Sequence, residues 1–159
     1  MSHAQPGQIA PDFTALATGG MPLSLSSLRG APVVLYFYPK DNTPGCTNEA
    51  RDFAQRQAQF KQAGAHLIGV SRDSIRTHEN FRAKHELPFP LISDPEGTLC
   101  TLYGVLKPKK LYGRDYVGIE RTTLLIDARG VIRERWEKVR VPGHADTVLQ
   151  AVLALAPPR

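Results

Sequence analysis

Cysteine is scarce in this chain, with only Cys46 and Cys100 among 159 residues. Two thiols are too few for the disulfide scaffold of a small secreted domain. No Cys-x-x-Cys or Cys/His pair has zinc-ligand spacing, which argues against a structural zinc site and a dithiol reductase. A reducing compartment is therefore expected, read as the cytoplasm, and no metal or other cofactor is expected. Long apolar runs are missing too: none approaches the ~20 residues of a membrane-spanning helix. No N-terminal basic region leads into an apolar core, so an export signal is not expected. Repeats and low-complexity tracts are also absent, and the length suits one good core, not two ordinary domains. The expected organisation is a flexible tail over residues 1–8 and a single domain over 9–156.

What is present is a cysteine in a telling place. Ala31 to Tyr38 is a continuous apolar run rich in branched and aromatic residues, as in a strand buried on both faces. Thr43-Pro44 then reads as a helix start, with Thr43 at the N-cap and Pro44 at the first helical position, where its missing N–H costs nothing. Cys46 falls at the third position. The helix dipole and free amides favour negative charge there, which makes the thiolate a good nucleophile. An N-cap hydroxyl ordinarily accepts from the third amide, which would bring Thr43 beside Cys46. The competing reading, a buried structural thiol, fits poorly with the polar, Gly/Pro-containing approach.

Pro39, Thr43 and Cys46 match the Pro-x-x-x-Thr-x-x-Cys signature of the peroxiredoxins. The fuller string Phe-Tyr-Pro-Lys-Asp-Asn-Thr-Pro-Gly-Cys-Thr-Asn-Glu resembles the bacterioferritin comigratory protein, or peroxiredoxin Q, subgroup. The similarity continues through Gly69–Ser74, Phe89–Asp94 and Gly118–Thr123. The resemblance implies a thioredoxin-like α/β fold with a central mixed sheet flanked by helices. It also implies a thiol-dependent peroxidase, an antioxidant oxidoreductase of cell redox homeostasis, acting on hydrogen peroxide and organic hydroperoxides. Cys46 would be its peroxidatic cysteine, becoming a sulfenic acid. Thr43 and Arg121 would hold the peroxide, Pro39 and Pro44 would shape and dry the pocket, and Glu49 would order it by bonding Arg121 or the loop. Read without the family, Arg121 is equally a surface charge at the start of the strand to Asp127, and Glu49 an exposed helix carboxylate.

The chain departs from the subgroup in its second cysteine. The two usual resolving positions hold Arg51 and Arg82. Three routes stay open: direct attack on the sulfenic acid by an external thiol (thioredoxin, glutaredoxin or glutathione), resolution by Cys100 after local unwinding of the Cys46 helix, or an intermolecular disulfide. The first assumes least and is preferred. Cys100 is the candidate resolving residue of the second, although its alternating neighbours also suit a core thiol. From another class, a redox-sensing binding or holdase protein would use the same thiol without turnover. A monomer is expected, as is common in the subgroup.

The net charge of +5 raises nucleic-acid binding. Lys107, Lys109, Lys110 and Arg114 cluster, and Arg133, Arg135, Lys138 and Arg140 follow. The later group alternates with Val131, Ile132 and Trp136 and reads as one solvated face, so a nucleic-acid partner is disfavoured. The histidines His66, His78 and His85 have no spacing that joins them to Cys46, which leaves little support for a Cys/His dyad, and His144 is placed at the start of the last helix.

The expected elements are strand Val33–Tyr38, helix Pro44–Ala63, strand His66–Val70, helix Ile75–Lys84, strand Leu91–Ile92, a short helix near Leu99, strands Thr122–Ile126 and Val131–Trp136, and helix Ala145–Ala154. Pro22 to Leu28 leads into an Arg29-Gly30 turn, and Asp127–Gly130 is a hairpin turn.

Overall fold

The computed structural model describes residues 4–155. Its centre is a five-stranded sheet built from β3 (Val33–Phe37), β4 (His66–Ser71), β5 (Leu91–Ser93), β8 (Thr122–Ile126) and β9 (Ile132–Trp136), in the order β5-β4-β3-β8-β9. β3 runs parallel to β4 and β4 to β5, while β8 is antiparallel to both β3 and β9. All five residues of β3 are buried because both faces are covered. Val33, Leu35 and Phe37 enter one core, whereas Val34, Tyr36 and Tyr38 enter the other, as period-two alternation requires.

Helices α1 (Pro44–Gln55), α2 (Gln57–Gln62), α3 (Ile75–Lys84) and α5 (His144–Leu153) supply Phe53, Phe60, Phe81 and Val148 to the core that holds Tyr36. The opposite core takes Leu99 and Cys100 from α4 (Thr98–Leu102), together with residues of the N-terminal segment. That segment forms the small hairpin β1 (Thr14–Leu16) and β2 (Pro22–Ser24), then a 3₁₀ turn at Leu25–Leu28.

Several boundaries differ from expectation for identifiable reasons. The expected helix Pro44–Ala63 is two helices broken at Arg56. The Arg56 guanidinium takes the Asp52 carbonyl (Nη1, 2.9 Å) that the Arg56 amide would use in a continuous helix, and the amide turns to Phe53 instead (3.0 Å). The expected loose tail is anchored from residue 4 onward. Ala4 is buried, its carbonyl accepts from Arg135 Nη1 at 3.0 Å, and Gly7 donates to the Ile132 carbonyl; residues 1–3 lie outside the described residues. Arg135 is accordingly not part of a solvated basic face. Its side chain is 3% exposed and also donates to the carbonyls of Tyr103 and Gly104.

The basic cluster near residue 110 is an additional hairpin, β6 (Leu106–Leu111) and β7 (Arg114–Ile119). Tyr112 and Gly113 join its strands with φ of 51° and 78°. Two positive φ values are the mark of a type I′ turn, but tyrosine in place of the usual Asn or Asp hides the signal, and Pro108 and the lysines mask the strand. The Asp127–Gly130 turn is present as expected, with Gly130 at φ 89° and the Asp127 carboxylate accepting from the Arg129 and Val131 amides.

Candidate active site

The site forms where β3 ends and α1 begins. Thr43 is the N-cap by its extended backbone (φ −92°, ψ 151°), Pro44 opens the helix, and Cys46 lies two residues further on. The Thr47 amide bonds the Thr43 carbonyl at 2.9 Å. Helix geometry leaves the Gly45 and Cys46 amides without partners inside the helix, and Pro44 has none to offer. The expected cap bond is not made: the Thr43 hydroxyl donates to the Lys40 carbonyl at 2.8 Å and accepts nothing from the Cys46 amide. The turn at Lys40–Thr43 brings the Lys40 carbonyl within the hydroxyl's reach, and the rotamer that donates to it commits the hydroxyl proton while leaving its lone pairs free.

Sheet register brings Arg121 to the same place from 75 residues away. Thr122, the first residue of β8, pairs with Phe37 at the end of β3, so Arg121 flanks the turn into α1. Its Nη2 lies 3.4 Å from Cys46 Sγ and its Nη1 donates to Glu49 Oε1 at 2.6 Å. Gly45 allows this approach, since a Cβ there would stand 3.2 Å from Nη2. Cys46 and Glu49, one helical turn apart, are each 1% exposed. Pro39 is half-buried and Pro44 exposed beside them.

Burial raises Glu49 to about 7, and the Arg121 guanidinium opposes that shift without cancelling it. On Arg121 burial acts against the charge, but Glu49 and Cys46 outweigh it and raise its pKa. The two shifts pull differently on one ion pair. The upward shift of Glu49 is the firmer of them, because its Oε2 is buried with no hydrogen-bond partner and a lone donor repays only part of a carboxylate's desolvation. The Tyr36 hydroxyl is likewise buried and unpartnered, and burial followed by the Glu49 charge raises its pKa well above the ordinary value.

Cys100 is placed elsewhere. It is wholly buried in α4, belongs to the core on the opposite face of the sheet from Cys46, and receives no disulfide. Burial and the neighbouring Asp94, whose carboxylate accepts from the Cys100 amide at 2.8 Å, push its thiol up. Arg51 is exposed on α1, and Arg82 donates to the Phe89 carbonyl at 3.2 Å. Among the histidines, His66 is exposed and His85 closes α3. His144 opens α5 as expected and bonds Thr123 at 2.9 Å; burial, aided by the Arg121 charge, lowers it to about 4. Sequence reasoning missed His78, which is fully buried against Asp41. The available signal was its position three residues before Phe81 on the apolar face of α3.

A mixed sheet flanked by helices, with a buried thiol at a helix start under a guanidinium, defines a thiol peroxidase of thioredoxin-like fold. The chain belongs to the AhpC/TSA family, which matches residues 6–135. It is 50% identical over 143 residues to the putative peroxiredoxin bcp of Coxiella burnetii, covering 90% of this chain and 95% of that one. A solved structure of a cysteine-to-serine mutant of Xylella fastidiosa PrxQ superimposes with TM-score 0.90 at 40% identity, covering 97% and 98% of the two chains. Trapped intermediate and ligand complexes of the Xanthomonas campestris bacterioferritin comigratory protein, described in connection with its alkyl peroxide reduction activity, give TM-score 0.86 at 45% identity over 89% and 90%. The chain is thus a peroxidase and an oxidoreductase of the Bcp/peroxiredoxin Q kind. Among the described residues no helix is long and apolar enough to cross a membrane.

Proposed function

We propose that Cys46 is the peroxidatic cysteine of a one-cysteine cycle, in which an external thiol recycles the enzyme. The thiolate attacks one peroxide oxygen, the S–O bond forms as the O–O bond breaks, and Cys46 becomes a sulfenic acid while the leaving alkoxide or hydroxide takes a proton to become alcohol or water. Arg121 and the Gly45 and Cys46 amides offer donors where negative charge passes from sulfur to the leaving oxygen. Thr43, its proton held by Lys40, offers a lone pair to the hydroperoxide O–H. Pro39, Pro44 and Glu49 shape the surroundings, with Glu49 holding the guanidinium.

The observation that carries the reading is the 3.4 Å approach of Arg121 Nη2 to Cys46 Sγ. The alkyl peroxide reduction described for the Xanthomonas campestris relative supports organic hydroperoxides as substrates beside hydrogen peroxide. Placement of Cys100 in the core beyond the sheet favours the one-cysteine route, because joining the two sulfurs would require unpacking one core. A thiol such as thioredoxin, glutaredoxin or glutathione then attacks the sulfenic sulfur, releasing water and leaving a mixed disulfide that a second thiol cleaves. Two free, buried cysteines suit a reducing cytoplasm, and the enzyme is read as a monomer.

The test is intact mass and peptide mapping after one equivalent of hydrogen peroxide is added to reduced protein without added thiol. Oxygen gained on Cys46 and trappable by a sulfenic acid reagent is expected. A Cys46–Cys100 disulfide would make the enzyme two-cysteine, and an unmodified Cys46 would remove it from the chemistry.

A further inference from the structure

A closed polar cluster that the peroxide chemistry does not use lies beneath the loop that carries Pro39 and Thr43. Tyr38, Asp41, Ser71 and His78 are each 3% exposed or less. His78 Nε2 lies 2.9 Å from the Ile92 carbonyl, an acceptor only, so this nitrogen carries a proton and donates it. On the other side of the ring, Nδ1 meets Asp41 Oδ2 at 2.5 Å, and the Tyr38 hydroxyl donates to Asp41 Oδ1 at 2.6 Å. The Asp41 amide donates to Asp73 Oδ2 at 2.9 Å, and the Ser71 hydroxyl donates to the same oxygen at 2.5 Å. Both Asp41 carboxylate oxygens, both His78 ring nitrogens and Asp73 Oδ2 are thus engaged in hydrogen bonds within the cluster.

The connectivity gives the cluster its meaning. Among the described residues, the hydrogen bonds that tie residues 39–42 to β4, α3 and β5 all pass through Asp41. Lys40, just before it, accepts from the Thr43 hydroxyl through its carbonyl, and Thr43 stands at the N-cap position of the helix that presents Cys46. Asn42, just after it, adopts φ 64°, a left-handed conformation that asparagine takes more readily than most residues and that turns the chain toward Thr43. Asp41 is 3% exposed, so removing His78 takes a hydrogen-bond partner from a buried carboxylate oxygen.

We propose that His78, acting through Asp41, is a positioning residue for the peroxidase reaction: it latches loop 39–43 to α3 and β5 and so sets the peroxide-binding geometry at Thr43 and Cys46. The inference rests on the peroxidatic reading of Cys46. The latch works by hydrogen bonding and not by charge as such. Asparagine at 41 would donate from Nδ2 to a neutral Nδ1 and accept from Tyr38 with its oxygen, which preserves both side-chain bonds.

Two rates at Cys46 test it: oxidation by hydrogen peroxide, which needs the preorganised pocket, and alkylation by iodoacetamide, which needs only an accessible thiolate. In His78→Ala and Asp41→Ala the oxidation rate should fall roughly 10- to 100-fold while alkylation holds or rises. Asp41→Asn should stay within about threefold of wild type in both, since it keeps the hydrogen bonds. Parallel loss of both rates in the alanine variants, or a wild-type oxidation rate in Asp41→Ala, overturns the latch. If His78→Ala does not fold, Tyr38→Phe reads the same ratio: a selective loss of roughly threefold to tenfold supports the latch, and an unchanged ratio overturns it. Wild-type protein that peroxide leaves unoxidised at Cys46 overturns the peroxidatic reading and the latch with it, whereas loss of selectivity in the variants alone overturns only the latch.

Discussion

Arg121 bridges Cys46 and Glu49, with one guanidinium nitrogen 3.4 Å from the sulfur and the other 2.6 Å from the carboxylate. The planar guanidinium makes the two contacts from two different nitrogens, a geometry that the single nitrogen of an ammonium does not reproduce. Arg121→Lys should therefore behave much like Arg121→Gln. Each is expected to lower the rate of Cys46 oxidation by about 100- to 1,000-fold. Circular dichroism should show the fold retained, and stopped-flow oxidation supplies the rate; a lysine variant close to wild type would show that charge alone suffices.

Gly45 separates stability from activity. A methyl group there would press on Arg121 Nη2 from 3.2 Å, and the flexible end of that side chain can yield by a few tenths of an ångström. Gly45→Ala should gain about 0.5 kcal/mol from helix propensity while peroxide reactivity drops, because the yielding group is the one that faces sulfur. Denaturant melts and peroxide kinetics on the same preparation check both signs.

Cys100→Ser should leave steady-state peroxidase activity with a supplied external thiol largely intact, and Cys46→Ser should abolish it. Collapse of turnover in Cys100→Ser, with the protein folded, would refute the one-cysteine cycle. Some loss of stability is expected in that variant, since a hydroxyl enters the apolar core that holds Leu99 and Tyr103.

Glu49 and His144 should tilt stability with pH in opposite directions. Glu49 is raised from 4.5 to about 7, so its contribution is full below about pH 4.5 and is lost as pH rises through 7. His144 is lowered from 6.5 to about 4, so its contribution is full above about pH 6.5 and is lost as pH falls through 4. The magnitudes are about 3 kcal/mol for Glu49 and, allowing for solvent screening, about 2 kcal/mol for His144. The two slopes largely offset each other in the wild type. Urea midpoints should therefore climb with pH between about 4.5 and 7 in Glu49→Gln, and decline over that range in His144→Asn. Variants that keep the flat wild-type profile would contradict both shifts.

Of the central sheet, β3 and β8 were legible because each lies in a nearly continuous apolar run, and β9 because its apolar residues alternate with charged ones. Val33–Phe37 and Thr122–Ile126 have every residue buried, and a continuous run needs no knowledge of its partner. The Leu106–Ile119 hairpin was not legible: its exposed strands lack an apolar face, and its turn relies on a tyrosine at positive φ. The break at Arg56 could not be read either, because it depends on where one guanidinium finds an acceptor. The exposed look of Arg135 in the sequence was misleading for the same reason, since three backbone carbonyls from distant segments receive it.

At the site, the chain's order alone determined that Cys46 opens a helix after a buried strand and that Arg121 begins another. Local spacing and apolar runs are properties of neighbours along the chain, so no tertiary information was needed. Tertiary structure decided which residues meet. The antiparallel register of β8 on β3 delivered Arg121 to the sulfur, the sheet separated Cys100 from Cys46, and the packing of α3 carried His78 to Asp41. Those relationships rest on register and burial between segments tens of residues apart, where hydrogen-bond geometry selects one partner among many of the same chemical type.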